Sequence, residues 1–569
     1  MKKSKIAVWF TAIFIGIILI NILSTRLYKR IDLTKEGRFS LTEATETKLL
    51  DLEDVVYIKV YLEGEFPAGL KRLKNATKDM LDEFRSYTGN YLEYNFEDPL
   101  ADAENDEEKI AITEALTQKG VIPERLIEQQ DGYSETVFFP YALATYGGRE
   151  YAIPLLERQL NRGPQETINE SIALLEYKLA NAIQKLQRPA RENIAFIEGH
   201  GELSDIEVSS IANELSRFYN LSRVDITETS FISSRYDAIV VAKPTQKFEE
   251  FDKFELDQYI MNGGKVLWLV DNMIADIDSL NNSTGYFMSV SRDINLMDQL
   301  FKYGVRVNDN LIQDLQCNPI PLATSTSQAG NATQLNLFEW YYHPIISRSN
   351  NGHPISKNLG PISAEFASSI DTILTKGANI EKTYLLTSSQ YTKTLFAPVK
   401  VDVSIVKNKA VPERFNKPHQ PIAVALEGEF ESPFKNRLAF NTQQMLDTLE
   451  DMSFKDKSVP TKMVVVSDGD IIRNDFDPLT QKPYMLGYYK YNKQTFDNKQ
   501  FILNCIEWLL DDSDIMTARS KDVKLRLLDT ERIKPNKLKW QLINIAIPLI
   551  LLLVFGLVYN FIRKRRFAN

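Results

Sequence analysis

Histidine and cysteine are scarce, with four and two in 569 residues. So few imidazoles leave little material for general acid–base chemistry. Cys317 and Cys505 lie far apart and form neither a CxxC pair nor a metal-ligand spacing, so they neither require nor exclude a disulfide. No GxxxxGK[ST] occurs: Asn262-Gly263-Gly264-Lys265 runs into Val266 and lacks the spacing and the hydroxyl that hold phosphate and magnesium. ATP hydrolysis is therefore not expected. G-x-S-x-G and HExxH are missing as well, which removes the common hydrolase nucleophile and zinc motifs. The sequence reads as a non-enzyme, with no catalytic residue, cofactor or metal assigned. With 76 Asp and Glu against 67 Lys and Arg, the net charge of −9 argues against nucleic acid as a partner.

Two long uncharged runs are present. Residues 6–25, IAVWFTAIFIGIILINILST, cover the roughly 30 Å hydrocarbon thickness at ~1.5 Å per residue. No A-x-A-like cleavage site follows, so an uncleaved anchor is expected rather than a signal peptide. Residues 540–562, WQLINIAIPLILLLVFGLVYNFI, form a second span that stops at the basic tail 563–569. Lys2, Lys3 and Lys5 precede the first span and Arg26, Lys29 and Arg30 follow it, so a simple count leaves orientation open. The acid-free tails, 1–5 and 563–569, weigh more than residues flanking a long loop, which places both termini in the cytoplasm and the intervening domain outside it.

That domain is 44 % hydrophobic as part of the whole chain and long enough for two α/β folds. In residues 32–188, Ser40 and Glu43 mark a helix start. VVYIKVYLEG and YLEYNFEDP alternate as strands, LKRLKNATKDMLDEFRSYTG has helical periodicity, and EEKIAITEALTQKG adds another helix. ETVFFPYALATYGGREYAIPLL reads as a hairpin around Gly147-Gly148, and ETINESIALLEYKLANAIQKLQ as one long helix. This βαβαββα order is thioredoxin-like, without the CxxC that redox work needs. Residues 189–512 read as a second domain, with a parallel sheet built on NIAFIEGHGE, DAIVVAKPT, KVLWLVD and KMVVVSDGD. A β-rich insertion is expected over about 272–460, and 513–539 is a charged connector.

Candidate ligand groups end these strands. Glu198, His200 and Glu202 follow the first, Asp271 follows KVLWLV, and Asp468 and Asp470 follow MVVV. Open α/β sheets bind ligands at their carboxyl edge, where such groups can hold a cation or sugar hydroxyls. The plainer reading is that Gly199, Gly201 and Gly469 form tight turns and the acids cap helices or face water. His343 and His353 each precede proline and read as loop-packing residues.

The anchor, IDLTKEGRFSLTEATETKLLDLEDVVYIKVYLEG, FIEGHGE, YIMNGGKVLWLVD, HPISKNLG, VVVSDGD and the basic-tailed C-terminal span occur in one order. Together they resemble the GldG family of gliding-motility ABC-transporter auxiliary proteins. The resemblance implies a non-ATPase subunit in the inner membrane of Bacteroidetes-type bacteria, working with a separate ATPase and a separate permease, with its large domain periplasmic. It also implies a glutamine-amidotransferase-like second domain, here without a cysteine at the nucleophile turn. The alternative is an independent membrane-anchored carbohydrate-binding protein or envelope scaffold, with a glycan or an envelope protein as partner.

Overall fold

A computed structural model of the chain describes residues 40–520, except for short stretches of which 438–453 is the longest, together with Lys537–Phe567. In the first apolar run it describes Ile13, Phe14 and Gly16, so the span expected at 6–25 otherwise lies outside the described residues.

Helix α1 (Glu43–Leu50) starts two residues later than the Ser40 signal suggests, because Thr42 is the N-cap and its side chain accepts from Thr45 N. Strand β1 (Val56–Val60) buries Val56, Ile58 and Val60 while Tyr57 and Lys59 stay half-exposed, the two-residue period of a strand with one face on a core. Helix α2 (Ala68–Thr88) lays Leu70, Leu73, Leu81 and Phe84 on that core. Burying side chains of this size contributes roughly 1.5–3 kcal/mol each. Strand β2 (Leu92–Phe96) returns parallel to β1, and helix α3 (Asp106–Gln118) follows. The expected single hairpin divides. Ser134–Phe138 pairs with Glu124–Glu128 in a separate ladder, and the chain then breaks at Phe139-Pro140. Strands β3 (Tyr141–Tyr146) and β4 (Arg149–Pro154) form the remaining hairpin across Gly147 and Gly148, whose φ of 54° and 77° is the left-handed geometry a two-residue turn requires. The sheet order is β2-β1-β3-β4.

The expected long helix also divides, at Leu174, into α4 (Pro164–Ala173) and α5 (Leu175–Gln187). Helix α5 is buried almost all round, since it packs on the first sheet and also meets a helix from the far end of the domain. Its Lys185 pairs with Glu507 at 2.9 Å, Tyr177 donates to the same carboxylate, and Arg188 donates to Leu510 O at 3.2 Å. The described residues up to 520 accordingly belong to one compact unit with two large sheets and several two-stranded ladders.

In the second sheet, β5 (Asn193–Glu198), β6 (Asn220–Asp225), β7 (Ala238–Ala242), β8 (Lys265–Leu269) and the late strand Thr461–Val466 are parallel. Helices α6 (Ser209–Leu215) and α7 (Glu250–Met261) lie in the connections between them, and α8 (Met297–Tyr303) follows β8. The sheet is mixed, not purely parallel. Part of the region expected as an insertion extends it through β9 (Cys317–Thr326), β10 (Thr333–Arg348), β11 (Ile380–Thr387) and β12 (Pro421–Gly428), all antiparallel to their neighbours. With Thr461–Val466 as β13, the order is β9-β10-β11-β12-β13-β8-β7-β5-β6, and Ile362–Ser363 pairs beside β10. Val266–Leu269 and Met463–Val466 are fully buried, as central strands covered on both faces must be. Helix α9 (Asn498–Leu510) covers the sheet and meets α5.

Residues 522–569 form a second unit, in which α10 (Lys537–Phe567) runs through Pro548 and into the basic tail without a break. It is long and apolar enough to cross a membrane, with a mean hydropathy of 2.6 and none of the apolar stretch buried in the chain itself.

Candidate functional site

Three loops converge at the carboxyl edge of the central sheet. Strand β8 runs into Asp271, β13 into Asp468 and Asp470, and β7 into Lys243. Carboxylate oxygens of Asp271, Asp468 and Asp470 lie within 4.8 Å of one another, a spacing that fits a cation. The chain supplies that cation itself. Lys243 Nζ stands 2.5 Å from Asp470 and 3.4 Å from Asp271. Lys243 holds a left-handed backbone, φ 55°, which costs a side-chain-bearing residue of order 1–3 kcal/mol unless its surroundings fix it. Gly469 is part of that fixing: a Cβ there would fall 2.5 Å from Lys243 Cβ, so only glycine lets the loops approach this closely.

The remaining carboxylate valences tie loops together. Asp271 accepts from Gly469 N at 2.6 Å. Asp468 accepts from Asp470 N at 2.8 Å and from Glu365 N at 2.6 Å. Arg473 closes the group, with Nη1 2.9 Å from Asp470 and Nη2 4.0 Å from Glu365. Charge follows from this packing. Burial, then the neighbouring Asp470 and Asp271, pushes the Asp468 carboxyl well above its ordinary range. Burial raises Asp271 despite Lys243. Burial also opposes ionisation of Asp470, yet Lys243 and Arg473 outweigh it and hold that carboxyl low. Burial and Asp470 push Glu365 up to about 7. The ensemble is one firm ion pair, Lys243 with Asp470, amid carboxyls that resist ionisation.

The IEGHGE residues form a separate group. Glu198 does not join the acid cluster; it pairs with Arg223 on the adjacent strand β6. His200 is buried and stacks on Phe248 with ring centres 3.6 Å apart and planes 8° from parallel. Its Nε2 lies 2.9 Å from Asp252, which also closes the capping box of α7, and its Nδ1 lies 3.7 Å from Glu202. Burial alone would lower the imidazole's pKa, but Glu202 and Asp252 override it and the net shift is upward. The loop 199–202 is thus pinned to the start of α7 by an imidazole between two carboxylates.

Other candidates are packing residues. His343 reaches Ser363 Oγ at 3.0 Å and meets the Tyr489 ring edge-on, and burial pulls its pKa down to about 4. His353 packs on Trp508 and is likewise lowered to about 4 by burial. Cys505 lies inside α9 with its thiol pushed far up by burial, and Cys317 opens β9 and is pushed up to about 12. Both are free thiols. Sequence reading passed over Lys243, Asp252, Glu365 and Arg473. Lys243 carried the strand-end signal used for the acids, whereas Glu365 lies in loosely patterned sequence.

A family model described as an ABC-type uncharacterized transport system, the ABC transporter auxiliary domain, matches residues 191–505, more than half of the chain. The chain belongs to this family. The match covers the central sheet with both clusters, and the family implies association with other components of an ABC transport system. A second model, a domain of unknown function (DUF7088), matches residues 35–145 in the first lobe. An uncharacterized protein of Borreliella burgdorferi is 23 % identical over 558 residues, covering 94 % of each chain. Among solved structures, the mmIFT52 N-terminal domain aligns over 59 % of this chain and all of its own, at 12 % identity and a TM-score of 0.30.

Proposed function

We propose that the protein is a non-ATPase auxiliary subunit of a bacterial ABC transporter complex, working beside a separate ATPase and a separate permease in the inner membrane. The family match over residues 191–505 carries this reading. The apolar helix α10 with its basic end supports membrane attachment, and the apolar run at 6–25 supports a second pass with both termini cytoplasmic. On this reading the body between the spans is periplasmic, and the chain serves gliding motility as the GldG family does. The β2-β1-β3-β4 order supports a thioredoxin-like first lobe and the five parallel strands an amidotransferase-like second lobe.

Neither lobe acts as an enzyme on this reading. The protonated thiols of half-buried Cys317 and buried Cys505 are unsuited to nucleophilic attack. An independent carbohydrate-binding role needs strand-end acids free for hydroxyl groups, and Lys243 and Arg473 already engage Asp470.

A photo-crosslinking side chain placed at Leu552 or Phe555 of α10 in intact cells tests the proposal. Capture of a polytopic permease is the expected result. Recovery of the protein uncrosslinked to any protein from both positions would contradict it.

A further inference from the structure

Strand β2 is an edge of the first sheet: β1 pairs with one side of it, and among the described residues no strand pairs with the other. The opposite edge, β4, is engaged by neighbours. Lys178 donates to Pro154 O at 2.6 Å, and the Arg149 side chain donates to the carbonyls of Leu186 and Arg188. At β2, Glu97 N donates to Val60 O at 3.0 Å. Strand alternation then turns the peptide groups of Glu93 and Asn95 toward β1 and those of Leu92, Tyr94 and Phe96 toward the open side.

A concavity of about 590 Å³ lies beside this edge, between β2 and α2. Three cations, Lys74, Lys78 and Arg85, and two carboxylates, Glu63 and Asp82, line it, with Tyr94, Asn95 and Phe96 contributed by β2. Arg85 lies 5.0 Å over the Tyr94 ring and Lys74 5.8 Å over Phe96. Arg85 is paired with Asp82 and Lys74 with Glu63, whereas Lys78 is exposed and has no carboxylate partner among the described residues. On the other face of β2, Glu93 projects outward and disfavours acids there.

We propose that β2 takes up an extended peptide segment of a partner protein as a fifth strand, one carrying acidic side chains at alternate positions. The peptide's main chain pairs with the open peptide groups of Tyr94 and Phe96, and its carboxylates face Lys78 on the α2 side. Strand addition supplies affinity through the backbone, and Lys78, the cation of this lining without a carboxylate partner among the described residues, selects the acidic register. This inference stands apart from which transporter the chain serves.

The full-length chain in mild detergent is titrated into a fluorescent heptapeptide alternating threonine and glutamate, with anisotropy as the readout. Saturable binding is expected, weakened at least about tenfold by Lys78→Glu, with slowed amide exchange over residues 92–96. A peptide of the same sequence N-methylated at alternate amides keeps its charge but cannot form the ladder, and is expected not to bind. Lys78 is exposed, so the variant's unchanged melting temperature checks its fold. Equal binding of the N-methylated peptide, equal binding of a threonine–lysine peptide, or no binding of the acidic one overturns the proposal.

Discussion

The ammonium of Lys243 lies 2.5 Å from a carboxylate oxygen of Asp470, at the meeting of loops from β7 and β13. Each side chain is about nine-tenths buried. Removing one member of such a pair leaves an uncompensated charge, which typically costs ~3–5 kcal/mol. Lys243→Met is therefore expected to lower stability by that order in urea unfolding of the detergent-solubilised chain. With the lysine gone, the three aspartates regain a cation-sized gap. Calcium is expected to raise the variant's melting temperature and leave the parent's unchanged; equal response of both would refute the role given to Lys243.

Gly469→Ala tests the same junction from the backbone side. The added methyl meets Lys243 Cβ at 2.5 Å and its Cα at 3.0 Å, so a loop has to move. A loss of about 1–3 kcal/mol is expected, as for other overpacked sites. A variant as stable as the parent would show that the two loops are less tightly docked than they look.

Glu255 in α7 is fully buried, with neither carboxylate oxygen hydrogen-bonded. Burial, with the Asp252 charge nearby, raises its pKa to about 8. A carboxyl whose folded pKa lies above its unfolded value binds its proton more tightly when folded. Stability therefore falls as pH rises from about 4.5 through 8. Glu255→Gln is expected to be more stable than the parent at pH 8, by on the order of 1–3 kcal/mol, and to lose the advantage toward pH 4.5. The same advantage at both pH values would mean that ionisation is not its source.

His200 shifts stability in the same sense by a different route. Its folded pKa is raised above 6.5, so the contribution of the imidazolium is complete below that pH and is lost as pH climbs through the folded value. His200→Gln is expected to flatten that part of the stability–pH profile. An unchanged slope above pH 6.5 would argue that Glu202 and Asp252 do not face a charged imidazole.

Much of this architecture is legible in the sequence, and the exceptions share physical causes. The fully apolar Val266–Leu269 and Met463–Val466 announce central strands, and Gly147-Gly148 announces its turn. Strand direction is not encoded in hydrophobicity: Ile422–Leu426 is as apolar as its parallel neighbours but runs antiparallel to β13. Helix α7 is charged enough to look half-exposed. It is buried because α8 supplies Asp298 to its Lys253, and the later segment supplies Ser432 to its Asp257. At the site, the strand-end rule finds Asp271, Asp468 and Asp470 as candidate ligands or helix caps, and Asp468 does cap the turn at Gly469–Ile472. The rule sees positions, and it cannot see that Lys243 folds back into the gap. Glu198 follows its strand in the same way, yet its partner is Arg223 on the neighbouring strand.

The joint between the lobes gives a further test. Lys185 and Glu507 are 2.9 Å apart and largely buried, and they connect α5 to α9. Glu507→Gln is expected to cost ~3 kcal/mol and to open the region near residue 188 to limited proteolysis. The double variant Lys185→Met/Glu507→Leu is expected to recover much of that loss, because an apolar pair replaces the ion pair. If the double variant is no better than the single one, the joint depends on more than this pair.

The mass of the particle extracted from native membranes in mild detergent tests the central claim most directly. Native mass spectrometry is expected to show the 65.2 kDa chain in fixed stoichiometry with an ATPase and a permease. A homogeneous species containing this chain alone, from membranes where the transporter is intact, would contradict it.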